Sequence, residues 1–209
     1  FRSGACLSQG RAQTKSAVSY KNPVVDIAMP DPTVIKAADG YFYVYATEST
    51  RNVPIMKSKD LVEWTYCNTA FTNKTRPRFE PKAGIWAPDI NYINGKYVLY
   101  YAMSVWGGEQ TCGIGVATAN SPQGPFTDHG KMFRSNEIGV QNSIDPSLLQ
   151  YEGRNYLVWG SFRGIYVIEL TADGLSIMSG AKKKRIAGTA FEAVYIHKHG
   201  DYYYMFASI

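Results

Sequence analysis

The chain has 209 residues, 45% hydrophobic and 19% charged, a balance that excludes a disordered polymer and allows one or two domains with a sizeable core. The net charge is only +5, and the one basic run, Lys182-Lys183-Lys184-Arg185, lacks the interleaved aromatics of a nucleic-acid surface; it reads as a solvated loop or strand end. No apolar run reaches membrane-spanning length, so neither a nucleic-acid partner nor a membrane span is expected.

Residues 1–22 are rich in Ser, Gln, Lys and Ala and show no period, so they are expected to form an extended or disordered arm. Ser3-Gly4-Ala5-Cys6 loosely resembles a lipoprotein processing site, but no apolar stretch precedes it. The three cysteines, Cys6, Cys67 and Cys112, cannot all pair within one chain and show no zinc-site spacing, so free thiols are expected.

From residue 30 onward one unit recurs. An acidic residue opens a short apolar run, an X-Gly turn follows, and then an aromatic strand. Asp31-Pro32-Thr33-Val34-Ile35 leads through Asp39-Gly40 to Tyr41-Phe42-Tyr43-Val44-Tyr45. Asp89-Ile90-Asn91-Tyr92-Ile93 leads through Asn94-Gly95 to Lys96-Tyr97-Val98-Leu99-Tyr100. Asp145-Pro146-Ser147-Leu148-Leu149 leads through Glu152-Gly153 to Tyr156-Leu157-Val158-Trp159. Glu192-Ala193-Val194-Tyr195-Ile196 leads through His199-Gly200 to Tyr202-Tyr203-Tyr204-Met205-Phe206. Gly-containing turns between β-prone runs predict hairpins, with both turn residues at positive φ.

Third strands are expected at Val53-Pro54-Ile55-Met56, Gly113-Ile114-Gly115-Val116-Ala117 and Ile165-Tyr166-Val167-Ile168, and no amphipathic helical period is evident. The acids step by 89−31 = 58, 145−89 = 56 and 192−145 = 47 residues. Periods near 50 with several strands per unit indicate a β-propeller, whose innermost strands line a central channel. A single acid at a strand start needs no functional explanation. Four at equivalent places in a repeat would gather at one end of the channel. The fourth unit stops at Ile209 after one hairpin, so the chain is expected to supply about three and a half blades of a longer all-β domain.

These segments, in this order and at this spacing, resemble glycoside hydrolase family 43, over about residues 24–209. Met29-Pro30-Asp31-Pro32-Thr33, Asn142-Ser143-Ile144-Asp145-Pro146 and Phe191-Glu192-Ala193-Val194 are similar to its three acid-bearing segments, and Ser58-Lys59-Asp60-Leu61-Val62-Glu63-Trp64 to its recurrent outer turn. The resemblance implies a five-bladed propeller, with residues 23–209 as the catalytic domain. It also implies roles: Asp31 as general base, Glu192 as general acid, and Asp145 as the modulator that tunes and orients Glu192. Gly84-Ile85-Trp86-Ala87-Pro88-Asp89 and Gly160-Ser161-Phe162 look most like arabinanases, although Arg163 stands where relatives often carry a second aromatic.

Cleaving a glycosidic bond with inversion needs an acid for the leaving oxygen and a base for water, about 6.5–9.5 Å apart. Sugar contacts are expected from Trp86, Asn142, Ser161 and Phe162, with Trp106 on a loop over the cleft. Asp89 is expected to bind sugar hydroxyls or fix Trp86. The expected partner is arabinan or an arabino-oligosaccharide, met outside the cytoplasm by a monomer. No cofactor is required, although a structural channel ion such as calcium, held by a histidine beyond Ile209, fits the resemblance. His129, His197 and His199 are scattered and form no catalytic set. Two alternatives stay open: a β-xylosidase or α-L-arabinofuranosidase of the same family, and a non-catalytic glycan-binding or protein-interaction propeller. A fructan hydrolase should open with Asn-Asp-Pro-Asn, which is absent.

Overall fold

The structure is a computed structural model and describes residues 19–209; the arm expected over residues 1–22 lies mostly outside the described residues, as does Cys6. The first sheet runs in the order β1 (Thr33–Lys36), β2 (Phe42–Tyr45), β3 (Pro54–Ser58) and β4 (Thr65–Thr69). The second holds β5 (Gly84–Ile93), β6 (Lys96–Ser104), β7 (Gly113–Ala119) and β8 (Thr127–Arg134). A single helical turn, α1 (Ser135–Ile138), leads to the third: β9 (Ser147–Tyr151), β10 (Arg154–Trp159), β11 (Ile165–Glu169) and β12 (Lys184–Ala187). β13 (Glu192–His199) and β14 (Tyr202–Ser208) form a two-stranded sheet. Every pairing is antiparallel, so these are propeller blades, and the expected three and a half are present.

The blades stack because their middle strands are apolar on both faces. Side chains alternate along a strand. On β6, Leu99, Tyr101 and Met103 join a core with Tyr43, Tyr45, Ile55 and Phe71 of the first blade. Val98 and Tyr100 join a second core with Leu157, Trp159 and Ile168 of the third. β6 is therefore buried from Tyr97 to Ser104. Edge-to-face pairs such as Phe71 with Tyr101, centroids 5.8 Å apart, add about 0.5–1.5 kcal/mol each beyond area burial. The buried phenols find partners: Tyr100 donates to the Gly174 carbonyl at 2.8 Å and Tyr101 to Asp128 at 2.5 Å. Burial first, and then carboxylates near them, push both phenols above their ordinary range.

Two sequence expectations change in detail. Both turn residues take positive φ at Asn94-Gly95 and Glu152-Gly153, whereas at Asp39-Gly40 and His199-Gly200 only the glycine does. The helical turn α1 was invisible to periodicity because four residues carry no period. It is set instead by capping: the Glu137 side chain accepts the Arg134 amide at 2.9 Å, and Gly139 closes the turn at φ 66°. The basic run lies on and before β12, the outer edge of its blade, and is largely exposed.

Candidate active site

β1, β5, β9 and β13 are the first strands of their sheets, and the loops that enter them converge. One residue in the left-handed region stands just before β1 and β9, and at a register shift within β5 and β13: Asp31 at φ 49°, Asp145 at 56°, Ala87 at 40° and Ala193 at 51°. Aspartate visits that region more readily than most side chains, whereas alanine does so at a cost. These four mark the true register of the repeat, with steps 87−31 = 56, 145−87 = 58 and 193−145 = 48.

The expected ring of four equivalent acids is corrected by that register. Asp31 and Asp145 are equivalent, Glu192 sits one residue earlier, and Asp89 sits two residues later. The second blade has Ala87 where its neighbours have aspartates. Asp89 therefore points into the channel below the cleft. It is 9% exposed and stitches three blades together. Its carboxylate accepts Leu148 N at 2.8 Å, Asn91 Nδ2 at 2.7 Å and Thr33 Oγ1 at 3.4 Å. Burial raises its pKa to about 6 against those three donors. It lines the channel below the cleft residues, and its hydrogen bonds run to Leu148, Asn91 and Thr33.

Above the channel opens a cleft of about 620 Å³. Asp31, Asp145 and Glu192 line it, with Trp86, Asn142, Ser161 and Phe162. Asp31 is exposed, and the other two acids are half-buried. Thr47 Oγ1 donates to Asp31 Oδ2 at 2.5 Å and itself accepts Ala87 N at 2.7 Å. Ser161 Oγ donates to Glu192 Oε2 at 3.0 Å. Asp145 Oδ2 accepts Ala193 N at 3.2 Å, which fixes it beside the glutamate. Burial pushes the Asp145 carboxyl up to about 7, with the negative charge of Glu192 and, more weakly, Asp31 adding to it and the Ala193 amide opposing. The sequence led to Asp145 acting on Glu192. In the structure the Glu192 charge also acts on Asp145.

Thr47 was missed by the sequence reading. Its signal was nonetheless present. Thr47, Ser104, Ser161 and Ser208 each stand at or just past the end of the second strand of a blade, and all four line the cleft.

The apolar wall is Trp86 against Trp106, ring centroids 5.4 Å apart, with Phe162, 38% exposed, beside the segment that carries Glu192. A Cβ at Gly84 would meet the indole nitrogen of Trp86 at 2.5 Å, so glycine makes room for that ring. Trp106 is 93% exposed, as expected of a loop over a cleft. Asn142 reaches the Ser161 carbonyl at 3.1 Å, and Phe162 N donates to the Phe191 carbonyl at 2.9 Å, which locks the Ser161-Phe162 segment to the strand carrying Glu192. Arg163 grips Glu109 with two hydrogen bonds of 3.1 and 3.0 Å, tying this segment to the Trp106 loop.

Among the described residues no group of three or more His, Cys, Asp or Glu is arranged to hold a metal ion. The buried channel carboxylate of Asp89 already has both oxygens engaged. The described residues therefore do not by themselves form an ion cage. Among the described residues Cys67 and Cys112 are free thiols, and burial raises both.

The sequence model of glycosyl hydrolases family 43 matches residues 20–209. The chain belongs to that family. It is 32% identical over 187 residues to the arabinan endo-1,5-alpha-L-arabinosidase A of Aspergillus niger, covering 85% of this chain and 57% of that protein. It is 35% identical over 191 residues to the extracellular endo-alpha-(1->5)-L-arabinanase 1 of Bacillus subtilis, covering 85% and 58%. This family member thus spans less than three-fifths of the length of these relatives. Among solved structures it is similar to the native Bacillus subtilis arabinanase, with TM-score 0.76 and 32% identity over 88% of this chain and 66% of that one. The Cellvibrio cellulosa alpha-L-arabinanase, also solved with arabinohexaose, gives 0.76 and 28% over 87% and 64%.

Proposed function

We propose that this chain carries the catalytic cleft of an inverting hydrolase acting on α-1,5-linked arabinan. The observation that carries the reading is the meeting of Asp31, Asp145 and Glu192, from three different blades, in one cleft walled by Trp86, Trp106 and Phe162. Carboxylates supply proton transfer, and flat aromatic faces suit sugar rings. The arabinanase names of the relatives supply the substrate class.

In this reading Glu192 gives its proton to the glycosidic oxygen as the bond to the anomeric carbon breaks. Asp31 takes a proton from water as the water oxygen attacks that carbon from the opposite face. The released sugar carries the inverted anomeric configuration, and the two carboxyls exchange their protonation through solvent. Water is the only co-reactant. Ser161 orients the acid and Thr47 the base, while Asp145 keeps a negative or proton-sharing neighbour beside Glu192. The extracellular name of the Bacillus relative supports action outside the cytoplasm. Among the described residues no helix is long and apolar enough to cross a membrane.

The test is incubation with linear α-1,5-arabinan, xylan and aryl glycosides, following the first-formed anomer by proton NMR. Release of inverted arabino-oligosaccharides from arabinan in preference to xylan is expected. Preference for xylo-oligosaccharides, or first-formed retained product, would overturn the reading.

A further inference from the structure

A second cavity, of about 410 Å³, lies on the same face of the propeller, beside the cleft. Its lining includes Ala83 and Met103, which immediately precede Gly84 and Ser104 at the ends of β5 and β6. Ser104 itself lines the cleft. Four cations surround the cavity: Arg51, Arg76, Arg78 and Lys82.

Arg76 forms the floor and is spoken for. It is 8% exposed, donates to Glu48 at 2.6 and 2.7 Å, and also reaches the Asn52 side chain and the Ala83 carbonyl. Glu80, the acid at the rim, is paired with Arg134 and accepts Thr111 Oγ1. The other three cations, Arg51, Arg78 and Lys82, have no carboxylate partner among the described residues. Two of them are held in place without being neutralised. Arg51 Nε donates to Asn73 Oδ1 at 3.0 Å, and an Arg78 amino group donates to the Asn73 carbonyl at 2.8 Å. One asparagine thus fixes two guanidinium groups at the mouth of one cavity, each with donors to spare.

Two fixed guanidinium forks suit planar, bidentate anions, carboxylates above all, better than they suit neutral hydroxyls. The neighbouring cleft is built for a glycan. We infer that this cavity is an accessory binding site for a carboxylate-bearing saccharide, a uronic-acid unit, engaged by Arg51, Arg78 and Lys82. The inference rests on the glycan-hydrolase reading for its choice of a sugar carboxylate over other anions. The site lies outside the catalytic cleft, so it anchors acidic glycan near the cleft without touching the scissile bond.

The test is isothermal titration of the full chain with trigalacturonate, at low and at physiological salt, with inorganic phosphate and a neutral arabinotriose as comparison probes. The variants are Arg51→Gln/Arg78→Gln and, separately, Lys82→Gln, each checked for an unchanged unfolding midpoint. Trigalacturonate should bind the parent chain, weaken with salt, and bind the double variant at least roughly tenfold more weakly, the loss expected for charge-assisted hydrogen bonds. Lys82→Gln should weaken binding less, and it keeps the test valid if the double variant fails to fold. Cleavage of neutral linear arabinan should be unchanged in all variants. Equal trigalacturonate binding by parent and variants would overturn the proposal. So would phosphate competing as well as the uronate, which would leave only a general anion patch. Failure of the parent chain to cleave arabinan counts against the catalytic reading and is read separately from the titration.

Discussion

Thr47 donates its hydroxyl proton to Asp31 across 2.5 Å while accepting the Ala87 amide at 2.7 Å. The backbone of the second blade thereby fixes the direction of a hydroxyl in the first, and that hydroxyl fixes the carboxylate assigned to activate water. A hydrogen bond to a charged group is worth about 1.5–3 kcal/mol. Thr47→Val should therefore lower kcat on arabinan by roughly tenfold or more, with KM little changed. Thr47→Ser should restore most of it. Steady-state kinetics of the three proteins checks this, and an unaffected kcat in Thr47→Val would remove Thr47 from the base's support.

Asp31→Asn should abolish cleavage of every substrate, because no other group takes the proton from water. Glu192→Gln should be severe on arabinan, whose leaving alkoxide needs a proton, and mild on an aryl glycoside with an acidic phenol. General acid–base help is typically worth about 10²–10⁴-fold, so the contrast between substrates is measurable. Equal losses on both substrates would remove the acid role from Glu192.

Much of this was legible in the sequence, and the unread part has definite causes. The hairpins and blade count followed from turn chemistry and aromatic strands, which are local. The cleft residues Trp86, Asn142, Ser161 and Phe162 came from the family resemblance, and the structure gathers them with Asp31, Asp145 and Glu192. The register of the repeat was misread by aligning acid with acid. Ala87 carries the left-handed backbone that Asp31 and Asp145 carry, but an alanine at positive φ leaves no trace in a sequence. Asp89 took its place in the alignment, although it stands two residues further along and lines the channel. Thr47 lies opposite Asp31 where the β1–β2 pairing of Thr33 with Tyr45 is carried two residues further, so its signal lay in the hairpin register and not in any acidic residue.

Asp89 should prove a stability residue. Its carboxylate joins Thr33, Asn91 and the Leu148 amide from three successive blades. Asp89→Ala leaves a buried amide without its acceptor and should cost about 2–4 kcal/mol. Urea unfolding should show that loss, while arabinan cleavage well below the midpoint stays within about twofold of the parent. A catalytic collapse without loss of stability would return Asp89 to the active site.

Asp145 should make stability depend on pH, in a direction set by its raised pKa. In the unfolded chain its carboxyl titrates at about 3.9. In the folded chain burial and the charge of Glu192 move it up to about 7. Between those values the native state holds a proton that the unfolded state has released. The contribution of this group to stability is therefore fully present below about pH 4 and is lost as pH rises through about 7, with a limiting slope of about 1.4 kcal/mol per pH unit. Asp145→Asn keeps the shape, and its amide oxygen can still accept Ala193 N, but it cannot ionise. The unfolding midpoint of Asp145→Asn relative to the parent chain should thus climb from about pH 4 to about pH 7 and level off above it. Asp89 titrates in the same sense but is present in both proteins, so it cancels in the difference. Thermal unfolding at one-unit pH steps measures that difference directly. A difference that stays flat across the range, or that falls with pH, would show that Asp145 enters the folded state already ionised.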